Sequence, residues 1–401
     1  MKNLLFVSQY FPPEIGAGAV RAQAIVKHLS KQGWNIDVLT ETANYPLGEP
    51  FEQTEDHELP ENVTISRVWV WMNRRETTFK KLIFFFSFAI SSFFHILQKP
   101  FKYDVILVSS PPIFYAFSSV IASKILRVPV IVEIRDLWPD AAFQNDQSHE
   151  SVWYKVGKKL EKSLYRSADH VVAVTESSAN LIRRTTTTPV TVIENGVDTD
   201  TFKPIPADQL QLDEPLTPGR FRVGFIGSLG IVHDFRTLVQ AAKICEKDAD
   251  IEFLIIGDGS KHHEFHEMLE QYTPENLKWF GLKQHEKVPH YISSFDVGIN
   301  PIVDAPVFES IVTVKFFEFL ACGTPVISAG RGAIEDISSR CEAAVIVPPG
   351  DPEALAEAII RMKNHQNGLP ELREVAQKFI GQNYDRNKLN GKYEGVLAKL
   401  I

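Results

Sequence analysis

Residues 313–327 read Thr313-Val314-Lys315-Phe316-Phe317-Glu318-Phe319-Leu320-Ala321-Cys322-Gly323-Thr324-Pro325-Val326-Ile327. Lys315 and Glu318 stand three residues apart, so both lie on one face of a short helix. Gly323 and Pro325 stop that helix, and Val326-Ile327 starts a strand. A lysine in the first turn of a helix suits an anionic ligand such as a diphosphate. A glutamate one turn later can accept two hydrogen bonds from a sugar diol. The pair therefore reads as half of a nucleotide-sugar pocket, and equally as a surface ion pair on a helix cap.

The surrounding sequence repeats this alternation of helix and strand. In the first half, apolar runs predict strands at 4–9, 36–40, 63–70, 105–109, 130–134, 170–174 and 190–193, with amphipathic helices at 19–32, 114–126 and 153–167. The second half restarts with strands at 221–226, 251–256, 277–280, 297–300, 325–328 and 343–347. Its helices are expected at 234–246, 261–271, 286–294 and 352–363. Such alternation predicts parallel sheets covered on both faces. Four prolines between 202 and 220 place a linker there. The expected organisation is a first Rossmann-like domain over 1–202, a second over 203–368, and a helical segment, 369–401, bracing the two. Ligands of open α/β sheets bind at the carboxyl ends of the strands, so two such domains facing across a cleft would each present one ligand to it.

The totals are those of a globular chain. Its 401 residues are 44% hydrophobic and 23% charged, and the net charge of −8 argues against a nucleic-acid binder. Cys245, Cys322 and Cys341 form neither a CxxC pair nor a disulfide framework, which fits a reducing cytoplasm. The first residues read as a buried strand rather than a signal peptide. One stretch departs from the average. Arg74, Arg75, Lys80 and Lys81 precede the aromatic run 82–97, and Lys99 and Lys102 follow it. This apolar core falls short of the roughly 20 residues that span a bilayer. A helix over about 76–99 is expected either to lie in the membrane interface or to be buried in an α/β core.

Several loops carry candidate chemistry. Gly16 and Gly18 precede the first helix and expose backbone N–H groups. Arg21 occupies the third glycine position of a dinucleotide fingerprint, and Pro12-Pro13 separates the glycines from the strand, so that fingerprint is not matched. Arg135, Asp136, Trp138 and Asp140 follow a predicted strand, either as functional groups or as a loop-fixing Arg–Asp pair. Asn195-Gly196 is a turn signal. Gly224-Phe225-Ile226-Gly227-Ser228 runs a strand into a turn whose N–H groups suit a phosphate. Gly257-Asp258-Gly259-Ser260 ends the next strand, as a ligand contact or as a turn with an N-cap. No His/Cys/Asp/Glu cluster has metal-ligand spacing.

In order along the chain, these elements resemble glycosyltransferase family 4 of the GT-B fold. The match comprises the first glycine loop, Asn195-Gly196-Val197-Asp198, Gly224 to Gly227, Gly257-Asp258-Gly259, and Lys315-x-x-Glu318-x-x-Ala321-x-Gly323-x-Pro325-Val326. Arg135-Asp136-Leu137-Trp138-Pro139 and the aromatic stretch resemble the branch building O-antigen, capsule or colanic-acid repeats, which includes N-acetyl-fucosamine transferases. The resemblance implies a retaining, metal-independent transfer with no cofactor, from a nucleotide-diphosphate sugar, UDP-linked by expectation, to a lipid-linked saccharide. It implies a cytoplasmic enzyme peripheral on the membrane surface. Asp136 and Lys315 would be the catalytic residues. Gly227, Ser228, Lys315, Glu318, Gly257 and Leu282 would form the donor side, and Gly16, Gly18 and Arg135 the acceptor loop. The family's first glutamate would fall at Ser310, with Glu309 one residue off, and its Arg/Lys pair after the Gly227 turn is absent from Ser228-Leu229-Gly230-Ile231-Val232-His233. Two other readings remain open at this point: a non-hydrolysing nucleotide-sugar epimerase, and a catalytically silent sugar-nucleotide or lipid-glycan binding subunit.

Overall fold

The computed structural model describes residues 2–14, 16–43, 59–72, 77–99, 102–140 and 151–401. Arg74, Arg75 and residue 76, expected on the aromatic helix or its flank, lie outside the described residues. The chain divides into two units: Met1–Asn195 with Asn387–Ile401, and Gly196–Arg386.

The first unit holds a seven-stranded sheet. Its strands are β1 (Lys2–Val7), β2 (Trp34–Glu41), β3 (Val63–Val68), β4 (Val105–Ser110), β5 (Val130–Ile134), β6 (His170–Ala173) and β7 (Val190–Val192). They are ordered β3-β2-β1-β4-β5-β6-β7 and every pairing is parallel, with Leu4 opposite both Ile36 and Val105. All six residues of β4 are buried, as expected of a parallel strand covered on both faces. Helices α1 (Ala17–Lys31), α2 (Thr78–Leu97), α3 (Ile113–Leu126), α4 (Val152–Ser167) and α5 (Glu176–Arg183) connect them.

Helix α2 is the aromatic stretch. Thr77 caps it, accepting from the Lys80 amide at 3.3 Å. It is longer than its apolar core, and by length and composition Phe79–Leu97 would suffice to cross a bilayer. One side is nevertheless packed: Phe84, Phe88 and Ile96 are fully buried, and Phe88 meets the Tyr115 ring of α3 edge-on at 5.0 Å. Phe79, Phe86, Ile90 and Phe94 are exposed. The two lysines expected to flank it on the membrane side are used otherwise. Lys99 and Lys102 both pair with Asp37 of β2, which also accepts from Tyr103 Oη at 2.6 Å. Burial raises the Asp37 pKa. Hydrogen bonds from Lys102, Thr64 and Tyr103, with the Lys102 charge, outweigh it and hold the carboxyl well below the usual range. These lysines pin the end of α2 to the sheet.

The second unit holds a six-stranded sheet of β8 (Phe221–Ile226), β9 (Ile251–Ile256), β10 (Leu277–Trp279), β11 (Val297–Pro301), β12 (Val326–Ala329) and β13 (Ala344–Val347). The order is β10-β9-β8-β11-β12-β13, again all parallel. Its helices are α6 (Phe235–Cys245), α7 (His262–Tyr272), α8 (Val288–Ser293), α9 (Val314–Ala321), α10 (Ala333–Ser338), α11 (Pro352–Asn364) and α12 (Leu369–Asn383). Asp234 and Asp351 cap α6 and α11, accepting from Thr237 N at 3.1 Å and Ala354 N at 2.8 Å.

The proline-rich stretch 202–220 lies inside this second unit and is strapped to α8. Ile205 N donates to Ser293 Oγ, Gln211 N to His290 Nδ1 and Asp213 N to Tyr291 Oη, at 3.1, 3.1 and 3.2 Å. The division falls instead at Asn195-Gly196, where Gly196 has φ +57. There the outgoing and returning chains pair: Val197 N donates to Tyr384 O and Arg386 N to Val197 O, both at 2.9 Å. The C-terminal stretch is therefore two helices. α12 stays with the second unit, and α13 (Arg386–Leu397) returns to the first, where His28 Nε2 lies 3.1 Å from Glu394.

Candidate active site

In the second unit Lys315 and His233 meet beside the turn at the carboxyl edge of β8. The strand ends in Gly227 at φ +131, a conformation that favours glycine. A Cβ at Gly227 would lie 3.1 Å from both Cε and Nζ of Lys315. Gly257 shares this φ at the end of β9, and a Cβ there would come within 1.8 Å of the Gly227 carbonyl oxygen. The two expected glycine turns thus lean on each other, and bulk at either moves the turn that faces Lys315. Ser228 is exposed beside them.

Lys315 sits in the first turn of α9. The preceding Thr313 directs its hydroxyl to Asn300 Oδ1 at 2.9 Å instead of capping the helix. Phe316, Phe317, Phe319 and Leu320 bury α9 against the sheet, which draws Lys315 inward to 7% exposure. Its Nζ lies 3.6 Å above the Phe225 ring and 3.0 Å from His233 Nε2. His233 Nδ1 lies 3.3 Å from the Pro301 carbonyl oxygen. A carbonyl can only accept, so Nδ1 carries the proton and Nε2 offers a lone pair to Lys315. Burial pushes the Lys315 pKa well below the usual lysine range, opposed by Glu318. Burial and then the Lys315 charge push His233 well below its usual value. Half-buried Glu318, one turn along, is pushed up to about 7 by burial, against Arg386 and Lys315.

Other expected donor residues behave differently. Leu282 stands exposed past β10 and is not among the contacts gathered at Lys315. Glu309, nearest to the family's first glutamate, is exposed, and its carbonyl accepts from Ala333 N at 2.7 Å.

The first unit brings together a second set. A Cβ at Gly18 would overlap the Arg135 guanidinium, 1.9 Å from Nη1, so the glycine loop lies directly on Arg135. Arg135 Nη2 donates to Pro111 O at 2.9 Å and its backbone N to Ser110 O at 2.9 Å. Asp136 beside it is exposed. Protein atoms crowded around it raise its carboxyl pKa, and Arg135 opposes this. Asp140 serves the loop, accepting from Tyr154 Oη at 2.6 Å and Lys158 Nζ at 2.9 Å.

Two clusters escaped the sequence reading. His233 carries no motif, because only the turn at Gly230 brings it over Lys315. Glu133, the residue before Ile134-Arg135, is fully buried and ion-paired to Arg21 at 2.8 Å. Arg21 also donates to Ile193 O and Glu194 O at 2.9 Å, and Tyr393 of α13 joins the pair. Lys315 lies 82 residues from His233 and Arg21 lies 112 from Glu133, beyond the reach of spacing arguments. Among the described residues no group of three or more His, Cys, Asp or Glu is placed to hold a metal.

Two parallel-sheet Rossmann-like units, with a buried lysine and a glutamate behind paired glycine turns, define a GT-B glycosyltransferase. The family model described as Glycosyltransferase Family 4 matches residues 18–201, and the one described as Glycosyl transferases group 1 matches residues 220–365. Between them they take in most of both units, and the chain belongs to glycosyltransferase family 4. It is 23% identical to the putative colanic acid biosynthesis glycosyl transferase WcaI of Escherichia coli K12, covering 100% of this chain and 99% of that one. The sucrose-phosphate synthase of Thermosynechococcus elongatus has a similar structure, with TM-score 0.78, 18% identity, and coverage of 100% and 99%. So has Anabaena Alr3699/HepE in complex with UDP-glucose, with TM-score 0.73, 18% identity, and 100% of both chains covered.

Proposed function

We propose that this glycosyltransferase moves a sugar, with retention, from a UDP-sugar to a lipid-linked saccharide during cell-surface polysaccharide synthesis. The observation that carries the donor side is Lys315, buried with its Nζ against the Gly227 turn at an α9 start that no side chain caps. A diphosphate there would receive the Lys315 charge and the amides of the Gly227-Ser228 turn. Glu318 would accept from the ribose hydroxyls, with Gly257 shaping the turn and Leu282 at the rim. A relative in fold is found in complex with UDP-glucose, and a full-length relative is named a putative colanic acid biosynthesis glycosyl transferase, which supports this donor and this role.

In the reaction the bond from the anomeric carbon to the diphosphate oxygen breaks. A bond to the acceptor oxygen forms on the same face, and the acceptor proton passes to the departing phosphate oxygen. Lys315 holds the growing charge on the leaving group. Asp136, Arg135 and the Gly16–Gly18 loop contact the acceptor.

The acceptor's lipid would be met at the membrane surface of the cytoplasm, on the helical face of the first unit. Phe79, Phe86, Ile90 and Phe94 of α2 are exposed there. The exposed side of α4 carries Val152, Lys155, Val156, Lys159, Lys162 and Arg166 without a carboxylate, in a chain of net charge −8. Apolar and basic groups together suit an anionic bilayer.

The test offers UDP- and GDP-sugars to the purified protein with a lipid-diphosphate-linked saccharide. Sugar appearing on the lipid with retained configuration is the expected result. Interconversion of the nucleotide sugar without acceptor would replace this reading with an epimerase.

A further inference from the structure

The contact between Lys315 and His233 has a consequence for donor binding. Nζ and Nε2 lie 3.0 Å apart, and two cations at that distance repel strongly. The His233 lone pair is aimed at Nζ because Nδ1–H is engaged by Pro301 O at 3.3 Å. Phe225, 3.6 Å from Nζ, closes a further side, and the Gly227 turn closes another. The remaining charged groups acting on this pair are Glu318, one turn along α9, and Arg386 through Glu318. Among the described residues Lys315 has no carboxylate at ion-pair distance. No second lysine or arginine stands between Gly227 and His233, so within this turn the side-chain charge opposite a bound diphosphate would come from these two bases.

We propose that His233 is a positioning residue that holds the Lys315 amine toward the Gly227 turn, and that binding of a nucleotide-sugar diphosphate draws one proton from solvent onto the Lys315–His233 pair. This rests on the donor reading above. In the free protein the pair is short of protons, since burial disfavours charge on both side chains. An arriving dianion supplies the missing counter-charge, so the protonated pair becomes the favoured form. Linkage then fixes the sign: a complex that holds one more proton than its parts loses affinity as pH rises, by up to about tenfold per pH unit.

Calorimetric titration of the full chain with UDP-glucose and UDP-N-acetylglucosamine tests this, since their esterified diphosphates do not titrate between pH 6 and 9. In buffers of different ionisation enthalpy, the slope should report uptake of about one proton, with Kd rising between pH 7 and 9. His233→Leu removes the acceptor and should weaken binding by about tenfold. His233→Gln keeps an acceptor and should stay within about threefold of the parent, which loss of packing alone would not produce. Equal weakening by both variants at an unchanged melting temperature overturns the positioning role. Binding without proton uptake and with a Kd flat across pH 7–9 overturns the coupling and leaves the donor reading intact. Failure of both nucleotides to bind overturns the donor reading and this proposal with it.

Discussion

Each unit keeps a buried ionisable side chain near the carboxyl edge of its sheet, and the two are treated in opposite ways. In the first unit Glu133 is matched by Arg21, and Ser109 and Tyr393 donate to it as well. Burial raises its pKa, but Arg21 and these hydrogen bonds prevail and keep the carboxyl low. In the second unit Lys315 meets a neutral imidazole and an aromatic ring, and its pKa falls. A buried charge with a full set of partners holds a structure together. On the proposed reading, a buried base left without a counter-ion is held for the diphosphate that arrives.

The sharpest way to break this comparison is to remove one charge from each unit. Arg21→Ala leaves Glu133 buried and unpaired, so its denaturation midpoint should correspond to a loss of about 3–5 kcal/mol. A loss below about 1 kcal/mol would show that the pair is not structural. Lys315→Ala should behave in reverse. It should melt no lower than the parent yet lose about 100- to 1,000-fold in kcat/KM for sugar transfer. If instead it melts well below the parent while the folded protein keeps its kcat/KM, Lys315 belongs to the core.

Glu318→Gln gives a smaller effect with a pH signature. A carboxyl accepts from hydroxyls more strongly when ionised, and burial pushes the Glu318 pKa up to about 7. The affinity ratio of parent to variant should therefore grow from pH 6 to pH 8, reaching about tenfold. Dividing by the variant removes the opposing slope of the Lys315–His233 pair. A ratio that stays flat would take Glu318 out of the donor site.

The mildest changes concern the helical face of the first unit. Lys155→Gln, Lys159→Gln and Lys162→Gln should each weaken binding to phosphatidylserine vesicles by about 1 kcal/mol and lessen its salt dependence. Phe86→Ser with Phe94→Ser should lower vesicle binding without changing UDP-glucose affinity. Lys99→Gln should cost folding stability and leave vesicle binding alone, because Lys99 serves Asp37. Equal vesicle binding by all these variants would remove the membrane face.

Much of this architecture was legible in the residue order. Each predicted strand is present to within two residues at either end, because an apolar run bounded by turn residues leaves a parallel strand few alternatives. The Lys315–Glu318 helix, its stop at Gly323 and the glycine turns were also readable, since they depend on neighbours a few residues away. The short helices α5 and α10 were missed, being too brief for a clear period. The prolines of 202–220 look like a linker, yet that chain is strapped to α8 by partners roughly 80 residues distant. Lys99 and Lys102 read as a basic flank, and nothing near them announces Asp37.

The sequence by itself therefore determined two parallel-sheet units, the order of their strands along the chain, and a lysine and a glutamate on one face of α9. Those follow from local periodicity and turn chemistry, which act over a few residues. Only the tertiary structure decided that Lys315 is buried against His233, that Gly18 lies on Arg135, and that α13 returns to the first unit. Each of these depends on groups brought together across long stretches of chain, and burial sets their charge states: the same lysine exposed on a helix would be an ordinary cation.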